Sequence, residues 1–452
     1  MLTNDTIAAV VTAMGEAAVG IIRLSGSDSC QIADKFFRGR TSLANAPTHS
    51  INYGKIVNLY GKAIDEVLAL VMRAPKSFTG EDVVEIQAHG GTLVMEKILN
   101  LLLAGGARLA EAGEYSKRAF LNGKMDLSQA ESIMDIVNAN NNRALDIALN
   151  QRFGGLKDEI SALRADLAEL IAYIQADIDY PEDDIERLTT EEYLAKADTL
   201  KQKLAKLAIG YDEGRIYRDG LKVVLAGKPN VGKSSLLNAL LKEDRAIVTP
   251  IAGTTRDTIS EYLNLHGLPL KIIDTAGIRE TNDAIEQIGV ERSRKSLNEA
   301  DLVLYLIEKG AELDAEDQAN LALIGDKPLL FVANKADLAN DATVTLPAEY
   351  VEISALTGDG LTDLAQKIKA KFISGETDFS SHAVLSNVRH FHAVNQALSD
   401  LTNFHDNLSA ELPFDLLVID LQHAWEVLGT INGDTVEEDL LDVIFSKFCL
   451  GK

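Results

Sequence analysis

The sequence predicts a multidomain protein with three folds. An α+β domain occupies residues 1–119, an α-helical domain is split between residues 120–219 and 376–452, and an α/β P-loop domain is inserted between those halves at residues 220–375. Three observations predict this layout. The stretch from Gly227 to Ser234, GKPNVGKS, matches the phosphate-loop pattern G-x-x-x-x-G-K-[ST] without a mismatch. Strand-like and helical runs alternate through the first 119 residues. On both sides of the P-loop region, apolar residues recur every three or four positions, the period of helices with one buried face. A chain of 452 residues exceeds what one core accommodates, and an apolar share of 46% is that of a packed globular protein.

In the first domain, the runs starting at Ile7 (IAAVV), Val19 (VGIIRLSG), Glu66 (EVLALVMRAP) and Asp82 (DVVEIQAHGG) read as strands. Ile32 to Phe37 and Leu93 to Leu103 read as helices. Beyond residue 120 the pattern turns helical. Leu156, Ile160, Leu163, Leu167, Leu170, Ile174 and Ile178 predict one long amphipathic helix that stops near Pro181. Leu194, Ala197, Leu200, Leu204 and Leu207 mark a second. Further helices are expected through Leu385 to Leu408, Phe414 to Leu428 and Val436 to Phe448. Each group alone would leave an apolar stripe in water, so the helices before and after the insertion are expected to cover one another. No internal repeat or low-complexity tract is visible.

The P-loop motif sits where its chemistry requires. Val223 to Ala226 reads as a buried strand ahead of it, and Ser235 to Leu241 as the helix behind it. Such a turn aims backbone N–H groups at a polyphosphate, here around Asn230, Val231, Gly232, Lys233, Ser234 and Ser235. Lys233 would reach the β- and γ-phosphates, and the Ser234 hydroxyl would ligate Mg²⁺. Downstream, the strand-like Leu329 to Ala333 leads into Asn334-Lys335-Ala336-Asp337. The Asp337 carboxylate can accept two hydrogen bonds from the adjacent donors of guanine, which adenine lacks. Asn334 would brace the loop, and the Lys335 stem would lie over the purine. Ser354-Ala355-Leu356, after the strand-like Tyr350 to Ile353, suits a third base-contacting loop.

Two further pieces lie between them. Leu270 to Asp274 is a strand ending in Asp274-Thr275-Ala276-Gly277, where Asp274 suits ordering of Mg²⁺ and the Gly277 N–H meets the γ-phosphate. Upstream, Thr249-Pro250-Ile251-Ala252-Gly253-Thr254-Thr255 is a turn-rich loop with two adjacent hydroxyls. One of them can complete the Mg²⁺ shell while the γ-phosphate is present, as in a switch loop. This motif order resembles the translation-factor-related GTPases from Leu221 to about Phe372. Ile278 stands where small signalling GTPases carry a water-orienting Gln, and it cannot orient water. Arg256 and Arg279 are candidate fingers by proximity, and surface ion pairs are the alternative for both.

The formal charge is −24, a poor footprint for direct high-affinity nucleic-acid binding. Lys117, Arg118 and Lys124 make one modest basic patch, with a solvated face as the alternative reading. The two cysteines, Cys30 and Cys449, form neither a disulfide framework nor metal-ligand spacing. With no secretory signal pattern and no apolar run of membrane-spanning length, a cytoplasmic location is expected.

Four stretches carry a fuller resemblance: DTIAAVVTAMGEAAVGIIRLSG from Asp5, FTGEDVVEIQAHGG from Phe78, RAFLNGKMDLSQAE from Arg118, and the tail Phe448-Cys449-Leu450-Gly451-Lys452. Together with the P-loop and the TPIAGTTRD loop they resemble the MnmE (TrmE) family of tRNA uridine-modification GTPases across essentially the whole chain. Leu450 replaces a commoner Ile, Ala13-Met14 a commoner Pro-Pro, and Glu16-Ala17 a basic-glycine pair. The resemblance implies a homodimer and a heterotetramer with MnmG (GidA), which carries FAD and uses NADH. Together the pair installs an aminomethyl or carboxymethylaminomethyl group at C5 of the wobble uridine of certain tRNAs. The one-carbon unit comes from a tetrahydrofolate derivative (5-formyl- or 5,10-methylene-). Folate contacts are implied at Arg23, Glu81, Lys124 and Lys452.

The same resemblance implies that Glu286 orients the water, with an exposed helix charge as the plain alternative. It also implies that K⁺ replaces the arginine finger, held by Asn230, Thr249, Ile251 and Thr254 while Thr255 takes Mg²⁺. Asn230 has a second reading as a turn former. Cys449 is linked by the family to the modification reaction, either as a nucleophile on a flexible tail or as a small hydrophobe. A regulatory GTPase of ribosome assembly or signalling is the competing function, and a stand-alone folate enzyme is a third.

Overall fold

Alternation of apolar side chains in the N-terminal region produces a sheet with one buried face. The computed structural model describes residues 5–180, 188–243, 261–273, 296–338, 349–373 and 383–452. The chain divides into two compact units, the first from Met1–Met134, Arg152–Ala165 and Trp425–Lys452, the second from Asp135–Gln151 and Asp166–Ala424.

In the first unit, β1 (Ile7–Val10), β2 (Ala17–Ser25), β3 (Phe37–Gly39), β4 (Ser50–Val57), β5 (Ala63–Met72), β6 (Val83–Gly90) and β7 (Arg108–Leu109) form one sheet. Their order is β3-β4-β5-β6-β2-β1-β7, antiparallel except for the β1–β7 pair. Helices α1 (Ser29–Phe36) and α2 (Thr92–Ala104) bury Ile32, Phe36, Met95, Ile98 and Leu102 against Ile22, Leu24, Val67, Val71 and Ile86 of the sheet. The four expected strands are present. β4 was not expected, because Asn52, Gly54 and Lys55 break its apolar pattern. Gly54 stands there because the Phe37 ring crosses it: a Cβ would fall 2.5 Å from a ring carbon.

Helices α3 (Glu114–Leu121), α4 (Leu127–Asn138), α5 (Asn142–Arg152) and α6 (Gly155–Asp179) follow, and α6 is the long helix expected before Pro181. Ala119, Leu127 and Ala130 form a core with Leu441, Ile444, Phe445 and Phe448. That core draws the last segment, including α14 (Glu438–Phe445), into the first unit. The two units therefore partition the chain differently from the four segments expected. Residues 120–134, 152–165 and 425–452 group with the N-terminal residues.

The second unit contains α7 (Thr190–Ile209), α8 (Tyr211–Asp219), β8 (Leu221–Ala226), α9 (Lys233–Glu243), β9 (Glu261–Leu265), β10 (Leu268–Ile273) and β11 (Leu302–Glu308). It continues with α10 (Ala315–Ile324), β12 (Leu329–Asn334), β13 (Tyr350–Glu352), α11 (Leu361–Phe372) and α12 (Val388–Ser409). The strands order as β13-β12-β11-β8-β10-β9, parallel except for the β10–β9 hairpin. α7 is opened by a capping box between Thr189 and Glu192, and it packs along α12, burying Leu200, Leu204, Leu401 and Phe404. Tyr211 stacks on Phe391 with ring centroids 3.9 Å apart. Helices on either side of the P-loop region thus cover one another. Tyr193 also packs on Phe414, which begins α13 (Phe414–Asn432).

Arg118 of α3 is 4% exposed and departs from the expectation of a basic surface patch. Its guanidinium donates to Glu114 (2.9 Å), to the Asp5 side chain (2.7 Å) and carbonyl (2.9 Å), and to Glu81 (3.2 Å). Arg108 shares Asp5 and Glu114. Lys117 pairs with Asp442. Burial pushes the Glu114 carboxyl up, but hydrogen bonds from Arg108, the Glu111 N–H and Arg118 outweigh it and hold the group below its usual 4.5. A carboxylate with a depressed folded pKa adds stability above its unfolded value and loses it as pH falls through the folded one. Denaturant unfolding should therefore show stability dropping below about pH 4.5. Arg118→Met should cost about 3–5 kcal/mol at pH 7, by stranding buried carboxylates, and less in acid. An unchanged unfolding midpoint at pH 7 would show that Arg118 is dispensable.

Candidate nucleotide site

β8 is an interior strand of its sheet, and the chain leaves its C-terminal end through Gly227. The turn depends on residues that accept unusual backbone. Gly227 (φ 131°) passes the Leu306 carbonyl so closely that a Cβ would lie 2.4 Å from the oxygen. Asn230 is exposed and left-handed (φ 66°), which a short amide side chain tolerates. Gly232 (φ 99°) lies under the Asn334 side chain, where a Cβ would sit 2.1 Å from Nδ2. The Lys233 ammonium donates to the Gly227 carbonyl (2.6 Å) and the Lys228 carbonyl (2.7 Å), and burial lowers its pKa. Ser234 and Ser235 are exposed at the start of α9.

The second loop leaves β12, two strands away at the same sheet edge. Asn334, 2% exposed, donates from Nδ2 to the Val231 carbonyl (2.9 Å) and accepts at Oδ1 from the Ala355 N–H (3.0 Å). One amide thereby joins the phosphate loop, the Asn334–Asp337 loop and the Ser354–Leu356 loop. Lys335 is left-handed (φ 65°), and its ammonium pairs with Glu308. Ser354, 1% exposed, donates to Asp337 Oδ1 (2.6 Å) and accepts from the Thr357 N–H (3.2 Å). Asp337 is exposed with one oxygen fixed in this way, and Leu356 is exposed as well. The three loops form a surface with N–H donors at one end and a carboxylate at the other. The expected residues Thr249, Pro250, Ile251, Ala252, Gly253, Thr254, Thr255, Asp274, Thr275, Ala276, Gly277 and Glu286 lie outside the described residues, as do Arg256, Ile278 and Arg279.

Three participants were missed from sequence. Lys228 pairs with Asp314 (2.9 Å) and Asp317 (2.8 Å), whose hydrogen bonds push its pKa up, while Lys228 first and the Asp317 N–H second bring Asp314 down to about 2. These two aspartates form the capping box of α10. The D-A-E-D run at residues 314–317 carries that helix-start signal.

The other candidate residues lie in the first unit. Arg23 donates to Glu85 (2.7 Å), and its guanidinium lies 5.5 Å from the ring centres of Phe78 and Tyr115. Glu81 accepts from Ser25 (2.6 Å) and from Arg118. The Lys124 ammonium donates to the Pro75 carbonyl (2.9 Å) beside an open cavity of about 480 Å³ lined by His49, Met72, Lys76, Ser77, Phe78 and Lys124. The tail is docked on the first unit. Leu450 bridges to Ala112, Gly451 (φ 91°) lies against Val10 and Val11, and the Lys452 N–H donates to the Cys449 carbonyl. Cys449 itself is exposed, whereas Cys30 is buried and its thiol is pushed up by burial.

A P-loop and an Asn-Lys-Ala-Asp loop bound through one buried amide at one end of a mainly parallel sheet define a P-loop G domain, here carried in a multidomain protein. Residues 6–124 match the description "GTP-binding protein TrmE N-terminus", and residues 127–449 match "MnmE helical domain". The chain is 48% identical over 457 residues to the tRNA modification GTPase MnmE of Enterococcus faecalis, covering 99% of this chain and 98% of that one. It is 46% identical over 455 residues to the protein of that name from Listeria innocua (99% of each) and 44% identical over 459 residues to that of Acetivibrio thermocellus (100% of each). Among solved structures, the G domain of the T. maritima FeoB iron transporter is 25% identical, covering 33% of this chain and 97% of that one, with a TM-score of 0.25. This chain belongs to the MnmE family.

Proposed function

We propose that this protein is a K⁺-activated GTP hydrolase that acts in tRNA modification. With an FAD-dependent MnmG (GidA) partner, it adds an aminomethyl or carboxymethylaminomethyl group to C5 of the wobble uridine, drawing on a tetrahydrofolate one-carbon unit. The observation that carries this reading is 46–48% identity over nearly the full length to proteins named tRNA modification GTPase, with the P-loop and base-loop residues in place. A homodimer in the cytoplasm completes the proposal. Among the described residues no helix is long and apolar enough to cross a membrane.

Within this reading Lys233 and Ser234 hold the phosphates and Mg²⁺, with Thr255, Asp274 and Gly277 closing over them. Asp337 takes the guanine donors, its carboxylate oriented by the Ser354 hydroxyl at Oδ1. Asn230, Thr249, Ile251 and Thr254 hold K⁺ against the bridging phosphate oxygen, where a positive charge offsets charge developing in the transition state. Glu286 orients the water. Arg23, Glu81, Lys124 and Lys452 take the folate, and the Glu81 carboxylate, positioned by Ser25 and Arg118, suits the pterin donors. Cys449 is exposed and available to the modification reaction.

Deleting the gene and measuring wobble-uridine nucleosides by mass spectrometry should show loss of the C5 substituent; an unaltered nucleoside profile would leave a regulatory GTPase as the better reading. Asp337→Asn should weaken GTP binding by about 1–3 kcal/mol through unpaired guanine donors. It should also improve xanthine nucleotide binding, and unchanged GTP affinity would remove Asp337 from base recognition. Hydrolysis should run much faster in K⁺ than in Na⁺ at equal ionic strength, and Asn230→Ala should erase the difference. Equal wild-type rates in the two salts would count against the K⁺ site.

A further inference from the structure

The second residue of the phosphate loop does two jobs at once. The Lys228 side chain is tied to α10 through Asp314 and Asp317, while its main-chain carbonyl accepts the Lys233 ammonium at 2.7 Å. The anchor is firm. Asp317 is 1% exposed, accepts the Tyr305 hydroxyl at 2.8 Å, and caps the Asp314 N–H at 3.1 Å. Burial and that hydrogen bond push the Tyr305 phenol up to about 12. Asp314 in turn accepts the N–H groups of Glu316 and Asp317, each at 3.1 Å. The loop it restrains carries glycines at positive φ at residues 227 and 232, where the backbone has no Cβ to hold it.

An ammonium carries three N–H donors in tetrahedral array. Two of those on Lys233 go to the Gly227 and Lys228 carbonyls. Once two are placed, the direction of the third is set. A turn of the Gly227–Ser234 backbone that swung the Lys228 carbonyl would swing that third donor as well. The pair from Lys228 to the α10 carboxylates opposes such a turn.

We propose that Lys228 is a positioning residue for nucleotide phosphates: its ion pairs to Asp314 and Asp317 fix the carbonyl that orients the Lys233 ammonium. The proposal rests on the nucleotide-binding reading above and adds a residue to it. Lys228 touches no phosphate in this scheme. It acts on the β- and γ-phosphates through Lys233, and a nucleotide lacking them is blind to it.

The test compares GDP and GMP binding to the full-length protein with Mg²⁺, GDP by calorimetry and GMP by displacement of a fluorescent GDP. Lys228→Met should weaken GDP by roughly three- to tenfold, the loss of one charge-assisted tether. GMP affinity should not change, and Lys228→Arg should restore most of the GDP affinity. Asp314→Asn keeps an oxygen able to cap α10 but removes one of the two charges, so it should give a smaller loss in the same sense. Combined with Lys228→Met it should add nothing, because both act on one tether. Should Lys228→Met fail to fold, as judged by thermal unfolding, the Asp314→Asn arm carries the same GDP-to-GMP comparison. Wild-type GDP affinity in the variants overturns the proposal. Equal losses for GDP and GMP also overturn it, since general loosening of the loop would act on both. A wild-type protein that binds no GDP would instead remove the nucleotide reading beneath it.

Discussion

The nucleotide site depends on one buried amide. Asn334 closes β12 with its side chain lying over Gly232, and its two polar atoms take up the Val231 carbonyl and the Ala355 N–H. Because β8, β11, β12 and β13 run parallel, the loops after them open at one sheet edge, and the amide at the end of β12 reaches the loops after β8 and β13. The consequence is mutual. Gly232 can carry no side chain while Asn334 stays, and Asn334 can keep its place only while Gly232 lets it approach. Ser354 repeats the device at the carboxylate end, holding Asp337 from below. Base recognition and phosphate recognition are thereby built into one rigid edge, with no backbone hydrogen bond needed between the two loops.

Charge is distributed in a way that follows from composition. With 68 carboxylates against 44 lysines and arginines, a cation drawn inside can meet several acidic partners. Arg118 meets Asp5, Glu81 and Glu114, and Lys228 meets Asp314 and Asp317. Such multiple pairing offsets the desolvation of a half-buried or buried cation better than one partner does. It also leaves each acid with a fixed position, which matters most where one of them, Glu81 or Asp314, borders a candidate binding surface or opens a helix.

Features that rest on neighbours in sequence were legible there. The strand, turn and helix around Gly227–Ser234 are specified by consecutive residues, and so is the three-to-four spacing of α6 and α7. Those that rest on convergence were not. Nothing near Arg118 reveals that Asp5 and Glu81 come from distant positions to join Glu114, one turn earlier on α3, so Arg118, read as part of a surface patch, turned out to be an interior hub. Gly54 obscured β4 for a similar reason, its explanation being the distant Phe37 ring. The Lys335 ammonium pairs with Glu308, a residue at the end of a strand the motifs do not mention. The docked tail is held by Val10, Val11 and Ala112, more than three hundred positions earlier in the chain.

The core that joins Ala119, Leu127 and Ala130 to Leu441, Ile444, Phe445 and Phe448 bears on how the chain is made. Translation delivers residues in order, and domains generally fold as they leave the ribosome. The sheet of the first unit can form early, since its strands all lie within the first 109 residues. The apolar side of α3 and α4 must then wait uncovered while the entire nucleotide-binding region is synthesised, until Leu441 to Phe448 emerge. Completion of the first unit thus depends on residues far along the chain, and a product that stopped before Leu441 would carry an open apolar face.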